Sequence, residues 1–255
     1  MNSFFKVDDV ITAASKKAME VSSASFARID EVRAYNQEKV LAAFVKNSVN
    51  ESHFTESTGY GYGDRGRDVL DQVLADCVGS EDSLIRHSLT CGTHTLGVAL
   101  FGLLRPGDIM LCVTGTPYDT IHGVIGITGS GMGSLKDYGV TYKQVDLLPD
   151  GTVDYEGIEK ALNEKIAMVY IQRSRGYSLR PSLGVADIEK IAKTVREKSD
   201  AVIMVDNCYG EFVEKTEPVS HGADIIAGSL IKNPGGGIAK CGGYIAGRAD
   251  LVEKC

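Results

Sequence analysis

Beyond Gly66 the chain alternates between two hydrophobic periods. Short apolar runs bounded by Gly, Asp or Asn predict strands over 83–89, 108–113, 140–146, 167–172, 201–206 and 223–228, with a last short strand at Gly243–Gly247. Between them, apolar residues recurring at three- and four-residue intervals predict helices over 68–77, 93–104, 119–125, 155–163 and 185–197. Strands that alternate with helices imply a mostly parallel sheet covered on both faces, an α/β fold.

The first part of the chain reads differently. From about residue 8 to residue 54 the spacing is helical with no strand alternation, and Ile29, Val32, Val40, Leu41, Phe44 and Val45 fall on one face. The expected organisation is an N-terminal helical arm over 1–58 followed by one α/β domain over 59–255.

Composition narrows the function classes. The 255 residues carry a net charge of −7 with Lys and Arg dispersed, so neither a nucleic-acid stripe nor a polybasic membrane patch is expected. No apolar run approaches the roughly 20 residues of a bilayer span, and the start lacks a signal-peptide core, so a cytoplasmic location is expected. Six cysteines without a C-x-x-C pair, and five histidines without an H-x-x-x-H pair, give no support to a disulfide framework or a metal centre. The 34 acidic residues form no clustered hard-ion loop. Gly129-Ser130-Gly131-Met132-Gly133 lacks the spacing and context of a dinucleotide-binding turn, which argues against an oxidoreductase of that kind.

Chemistry gathers at the predicted strand ends. Lys232 stands just past the strand over 223–228 and before a glycine-rich loop, a place where open α/β sheets keep their sites. Alone, such a lysine reads more readily as a solvated loop residue. Asp206 ends the apolar run Val202-Ile203-Met204-Val205, although alone it reads as a turn or cap acid. Cys91-Gly92-Thr93-His94-Thr95 passes from a strand into a helix and so points free N–H groups at an anion, with the Thr93 hydroxyl beside them and Ser229 near the same edge. A lysine, an acid and an anion cradle together match pyridoxal 5'-phosphate, whose aldehyde needs an amine, whose ring nitrogen needs a carboxylate and whose phosphate needs a helix N-terminus. Tyr118 suits a ring stacked on the pyridine, and Tyr209 suits a phenol for the ring oxygen; each reads equally as an ordinary tyrosine. Arg173, Arg175 and Arg180 are candidates for a substrate carboxylate, or equally for surface ion pairs.

The strings TGYGYGDRGRD, CGTHT, GTPYDT, IQRSRGYSLRPSL, VDNCYGEF and SLIKNPGGGIAKCGGYIAGR, taken in order, resemble the aluminium-resistance protein family. That family is described as methionine γ-lyase-like and related to cystathionine β- and γ-lyases. The resemblance implies the large domain of a fold-type-I pyridoxal-phosphate enzyme, with Lys232 as Schiff-base lysine, Asp206 as partner of the ring nitrogen and Tyr118 as stacking ring. Gly92, Thr93, His94 and Ser229 would hold the phosphate region, and Tyr60, Tyr62 and Arg65 would reach it from a neighbouring subunit. A homodimer or homotetramer is therefore expected, acting on a small amino acid. Cys91 departs from the serine that relatives of this fold often carry. Such chains also close with a small C-terminal domain, so the expectation is a sequence truncated on that side.

The implied reaction is elimination of a sulfur leaving group from an amino acid, with Lys232, its pKa lowered by burial and by the nearby cationic ring, taking the α-proton. An aminotransferase would use the same Lys232 and Asp206. A cofactor-binding metal-tolerance protein without turnover is the reading from a different class.

Overall fold

The computed structural model describes residues 4–58, 60–129 and 131–255. In chain order they form α1 (Asp9–Lys46), α2 (Arg65–Val78), β1 (Asp82–Arg86), α3 (Gly92–Leu103), β2 (Ile109–Cys112), α4 (Asp119–Ile125) and β3 (Thr141–Gln144). Then follow α5 (Tyr155–Ala161), β4 (Met168–Gln172), α6 (Val185–Arg196), β5 (Val202–Asp206), β6 (Ile225–Ser229), β7 (Gly243–Gly247) and α7 (Ala249–Val252). Among the described residues the strands make one sheet in the order β1-β7-β6-β5-β4-β2-β3. Strands β3, β2, β4, β5 and β6 pair in parallel, while β7 runs antiparallel to both β6 and β1.

Both faces of the sheet are buried, which is why its strands read as continuous apolar runs. Side chains alternate across it. Leu111, Val169, Ile171, Ile203 and Val205 pack with Leu74 of α2, Ile158 of α5 and Ile188 and Ile191 of α6 on one side. Met110, Met168, Tyr170, Met204 and Ile225 pack with Leu96 and Leu100 of α3 and Ile121 of α4 on the other. Each fully buried aliphatic side chain contributes about 1.5–3 kcal/mol, so two such layers dominate the stability.

Local polar residues set the helix boundaries. Asp64 accepts from Arg67 N–H at the start of α2, and Asp154 accepts from Gly157 N–H at the start of α5. Gly79 ends α2 at φ 76°, a left-handed cap that a β-carbon would strain.

Helix α1 departs from the expected arm in one respect. Asp8 caps it through a 2.8 Å bond from Val10 N–H, and it runs unbroken to Lys46 before a short 3₁₀ turn at Glu51–Phe54. The predicted apolar face is not buried as a whole: Ile29, Leu41 and Val45 are 62%, 56% and 79% exposed. Its contact with the rest of the chain is made instead by Ala43 and Val40 against Val73 and Cys77, and by polar bonds. Asn36 Nδ2 donates to the carbonyls of Phe212 and Glu214, both at 3.0 Å.

Candidate active site

Parallel pairing aligns the ends of β4, β5 and β6. Gln172 stands opposite Asp206, and Asp206 opposite Ala227, so the residues following these strands meet at one edge. There a cavity of about 330 Å³ is lined by Tyr118, Arg175, Tyr177, Asp206, Tyr209 and Lys232, among others. A cavity of about 460 Å³ beside α2, lined by residues such as Phe44, His53 and Arg67, contains none of these strand-end groups.

Lys232 lies in the connection between β6 and β7. Its Nζ donates to Tyr209 Oη at 2.7 Å. The two loops are tied together by Asn233, whose Nδ2 donates to the carbonyls of Tyr209 (3.2 Å) and Glu211 (2.9 Å). Gly235 allows the loop to close, because a β-carbon there would stand 1.8 Å from the Leu230 carbonyl oxygen. The amine is only half-buried. Burial pulls its pKa down, but the Tyr209 hydrogen bond and nearby acidic groups outweigh that and displace it upward. The sequence reading expected a lowered value for an amine freed beside the cofactor's cationic ring, and burial alone does not reach it here. The difference comes from Tyr209, whose position beside Nζ depends on a left-handed backbone (φ 66°) that the sequence did not disclose.

Asp206 is 5% exposed at the end of β5. Its Oδ1 accepts from Cys208 N–H at 3.1 Å, and Oδ2 faces the Tyr170 hydroxyl at 3.4 Å. Burial raises its pKa, opposed by the Cys208 bond, by Tyr170 and by the charge of Lys232.

Helix α3 opens on Gly92, where a β-carbon would come within 3.4 Å of Ser229 Cβ and 3.5 Å of Cys208 Sγ. The first N–H groups of the helix have no carbonyl one turn earlier to bind. Cys91 Sγ accepts from His94 N–H at 3.4 Å, so the thiol occupies the cap position itself. Thr93 Oγ1 donates to Thr120 Oγ1 at 2.9 Å, and His94 is exposed with Nδ1 accepting from Thr90 N–H at 3.3 Å. Ser229 is fully buried and its hydroxyl donates to Gly242 O at 3.3 Å, so it adjoins the α3 start through Cβ.

Tyr118 caps α4 on the opposite wall. Its N–H donates to Gln172 Oε1, and its ring lies 5.7 Å from that of Tyr177. The bond with Tyr177 pushes the Tyr118 phenol up to about 12. By contrast, Tyr60, Tyr62 and Arg65 do not line the cavity of their own chain: the two tyrosines are 84% and 88% exposed and stack on each other, and Arg65 starts α2.

The three candidate arginines separate. Arg173 is 2% exposed and bonds Asn207 Oδ1 and Gly210 O at 2.8 Å, Glu217 at 3.2 Å and Glu214 at 2.5 Å. It is structural, and it fixes the loop that carries Asp206 and Tyr209. Arg180 donates to the carbonyls of Gln172, Ser174 and Pro181. Sequence reasoning missed Tyr170, Gln172, Tyr177 and Glu211. Of these, Glu211 carries no local signal, since only the fold reveals its burial.

The model of methionine gamma-lyase matches residues 11–255. The chain belongs to the methionine gamma-lyase family. An uncharacterized Bacillus subtilis protein, YnbB, is 47% identical over 245 residues, covering 94% of this chain and 58% of YnbB. The crystal structure of a carbon-sulfur lyase involved in aluminum resistance from Clostridium novyi is 51% identical with a TM-score of 0.93, covering 97% of this chain and 60% of the other. At 19% identity, the pyridoxal-5'-phosphate dependent protein YhfS of Escherichia coli shares the fold, with a TM-score of 0.69 over 89% of this chain and 57% of its own. The fold is the α/β fold type I of pyridoxal-phosphate-dependent enzymes: the residue pattern predicted the α/β class, and the family resemblance implied fold type I. This chain thus spans about three-fifths of the length of the two closer relatives. Among the described residues no helix is long and apolar enough to cross a membrane, and no cluster of His, Cys, Asp and Glu is placed to hold a metal ion.

Proposed function

We propose that this protein is a pyridoxal-phosphate-dependent carbon–sulfur lyase that acts in the cytoplasm on a sulfur-containing amino acid. The observation that carries the reading is one cavity lined by both Lys232, an amine, and Asp206, a buried carboxylate on the neighbouring strand end. The α3 N-terminus does not line it but adjoins it through Cys208, whose Sγ would lie 3.5 Å from a β-carbon at Gly92. Helix α3 has twelve residues, long enough for its N-terminus to favour an anion, and the Gly92 position leaves the space a β-carbon would fill.

In this arrangement Lys232 is the amine that would carry the cofactor, Asp206 the acid beside its ring nitrogen, and Gly92, Thr93 and His94 the phosphate donors, with Ser229 behind them. When bound, pyridoxal phosphate supplies an electron sink for the substrate α-carbon. The raised proton affinity of Asp206 suits a carboxylate that shares a proton with a ring nitrogen, through a charge-assisted hydrogen bond. Tyr209 fixes the direction of Lys232 Nζ, the atom assigned to move the α-proton. Tyr118 offers its ring as a wall to the cavity, worth about 0.5–1.5 kcal/mol beyond burial where it stacks. Tyr60, Tyr62 and Arg65, exposed on this chain, would complete the site of a second copy in a homodimer or homotetramer, and α1 with its uncovered apolar residues would form an arm over 1–58 beside the 59–255 domain.

The test is borohydride reduction of the protein incubated with pyridoxal phosphate, followed by peptide mapping and by turnover with cystathionine or methionine. The label is expected on Lys232, and thiol with 2-oxo acid should accumulate continuously without added keto acid. Labelling of another lysine such as Lys240 refutes the site. A single turnover that resumes only with a keto acid replaces the lyase by an aminotransferase, and a bound cofactor without any turnover leaves a binding protein.

A further inference from the structure

Tyr170 carries a hydroxyl into a layer of the sheet that is otherwise built from apolar side chains. On β4 it stands between Val169 and Ile171, which face α5 and α6, so its own side chain enters the layer covered by α3 and α4. There it is fully buried in one cluster with Leu96, Met110, Met168 and Met204. A phenylalanine would fill the same space, and a hydroxyl taken out of water costs free energy unless it is hydrogen-bonded.

Strand register supplies the partner. Tyr170 lies opposite Met204 on β5, and Asp206 follows two residues later on the same face of that strand. Two residues along a strand are roughly 7 Å, a distance that a tyrosine side chain spans. The Tyr170 hydroxyl donates to Asp206 Oδ2 at 3.4 Å, and among the described residues it has no other hydrogen bond. Asp206 Oδ1 accepts from Cys208 N–H at 3.1 Å. The two oxygens of this carboxylate are therefore held from two directions, one by the neighbouring strand and one by the loop that follows its own. Asp206 is 5% exposed and Tyr170 is 0% exposed, so water does not stand in for the bond between them.

A donor placed on a carboxylate favours its ionised form. At Asp206 burial works against that form, while Cys208, Tyr170 and the charge of Lys232 work for it. A ring nitrogen that carries a proton needs an ionised, oriented acceptor, whereas a neutral acid offers it a competing donor.

We propose that Tyr170 is a positioning residue whose hydroxyl keeps the Asp206 carboxylate aimed into the cavity as an acceptor for the ring nitrogen of pyridoxal phosphate. This rests on the assignment of Asp206 given under Proposed function.

The experiment measures the affinity of the full, cofactor-free chain for pyridoxal phosphate and for 1-deazapyridoxal phosphate, in which a C–H replaces the ring nitrogen. Both ligands keep the aldehyde and the phosphate, so their difference isolates the contact with Asp206. Tyr170→Phe removes one oxygen atom. It is expected to cut the preference for pyridoxal phosphate over the analogue about 10-fold, the low end for a hydrogen bond to a charged group because 3.4 Å is long, and to leave affinity for the analogue within about threefold. Tyr170→Met, apolar and adaptable in shape, carries the same expectation and serves where the phenylalanine variant does not fold. In an Asp206→Asn background, Tyr170→Phe should change the preference no further. An equal loss of affinity for both ligands in Tyr170→Phe marks a packing role alone and overturns the proposal, as does an unchanged preference; either result leaves Asp206 and the lyase reading intact. An Asp206→Asn protein that keeps the full wild-type preference overturns the assignment of Asp206 and the proposal together.

Discussion

Glu211 offers the sharpest test of the electrostatics around the site. Its carboxyl is 3% exposed beneath the loop that joins Asp206 to Tyr209. Oε1 accepts from the Tyr244 hydroxyl at 2.9 Å, whereas Oε2 is buried with no hydrogen-bond partner among the described residues. Burial pushes this group up from 4.5 to about 8, reinforced by Glu217 and Asp206 and opposed by a backbone bond and by Tyr244. The folded protein therefore binds a proton that the unfolded chain has already released. A raised folded pKa gives stability that is fully present below about pH 4.5 and is lost as pH rises through about 8. At about 1.4 kcal/mol per pH unit, the interval between the two values sets a ceiling of about 5 kcal/mol. That is a large part of the 5–15 kcal/mol typical of a domain. Glu211→Gln copies the protonated state in shape and charge. Urea midpoints at pH 5 should therefore agree within about 1 kcal/mol for the variant and the wild type. At pH 9 the variant should be the more stable by several kcal/mol. Asp206 and Cys208, whose pKa values burial also raises, are present in both proteins but interact with Glu211, so the difference reads Glu211 together with its coupling to them. Parallel stability curves from pH 5 to 9 would show that Glu211 does not hold its proton through this range, and the argument from its burial would fall.

Two further outcomes follow from the loops around the cavity. Arg173→Met leaves Glu217, 1% exposed, without its cation and Asn207 without a donor, so a loss of about 3–5 kcal/mol in a urea titration is expected; a loss below about 1 kcal/mol would mean the pair is dispensable. Gly235→Ala forces the backbone away from the Leu230 carbonyl and should move Lys232, giving a protein that melts within a few degrees of the wild type but retains little pyridoxal phosphate after gel filtration; normal retention would show that the loop tolerates the shift.

The strand and helix order was legible because it rests on local period. Runs such as Val202-Ile203-Met204-Val205 and Met168-Val169-Tyr170-Ile171 are apolar at every position, as strands covered on both faces must be, and their ends appeared within a few residues of where the structure puts them. Residues at strand ends were legible for the same reason: once β5 and β6 are read as parallel neighbours, Asp206 and Lys232 emerge on one edge. Pairing order was not, since nothing local makes β7 run antiparallel between β1 and β6. The three arginines after β4 look alike in sequence, yet Arg173 is buried, Arg180 binds backbone and Arg175 is exposed, because carboxylates from residues 214 and 217 return to Arg173 through the fold. The pKa directions belong to the same class. Lys232 is raised and not lowered because a tyrosine twenty-three positions earlier is turned toward it by a left-handed backbone. The sequence by itself determined the layers, the helical first segment and the strand-end lysine and acid, all of which depend on hydrophobic spacing within a few residues. Tertiary structure alone decided which charges are paired and which face of α1 meets the domain, since burial and long-range pairing depend on chain segments that no local window contains.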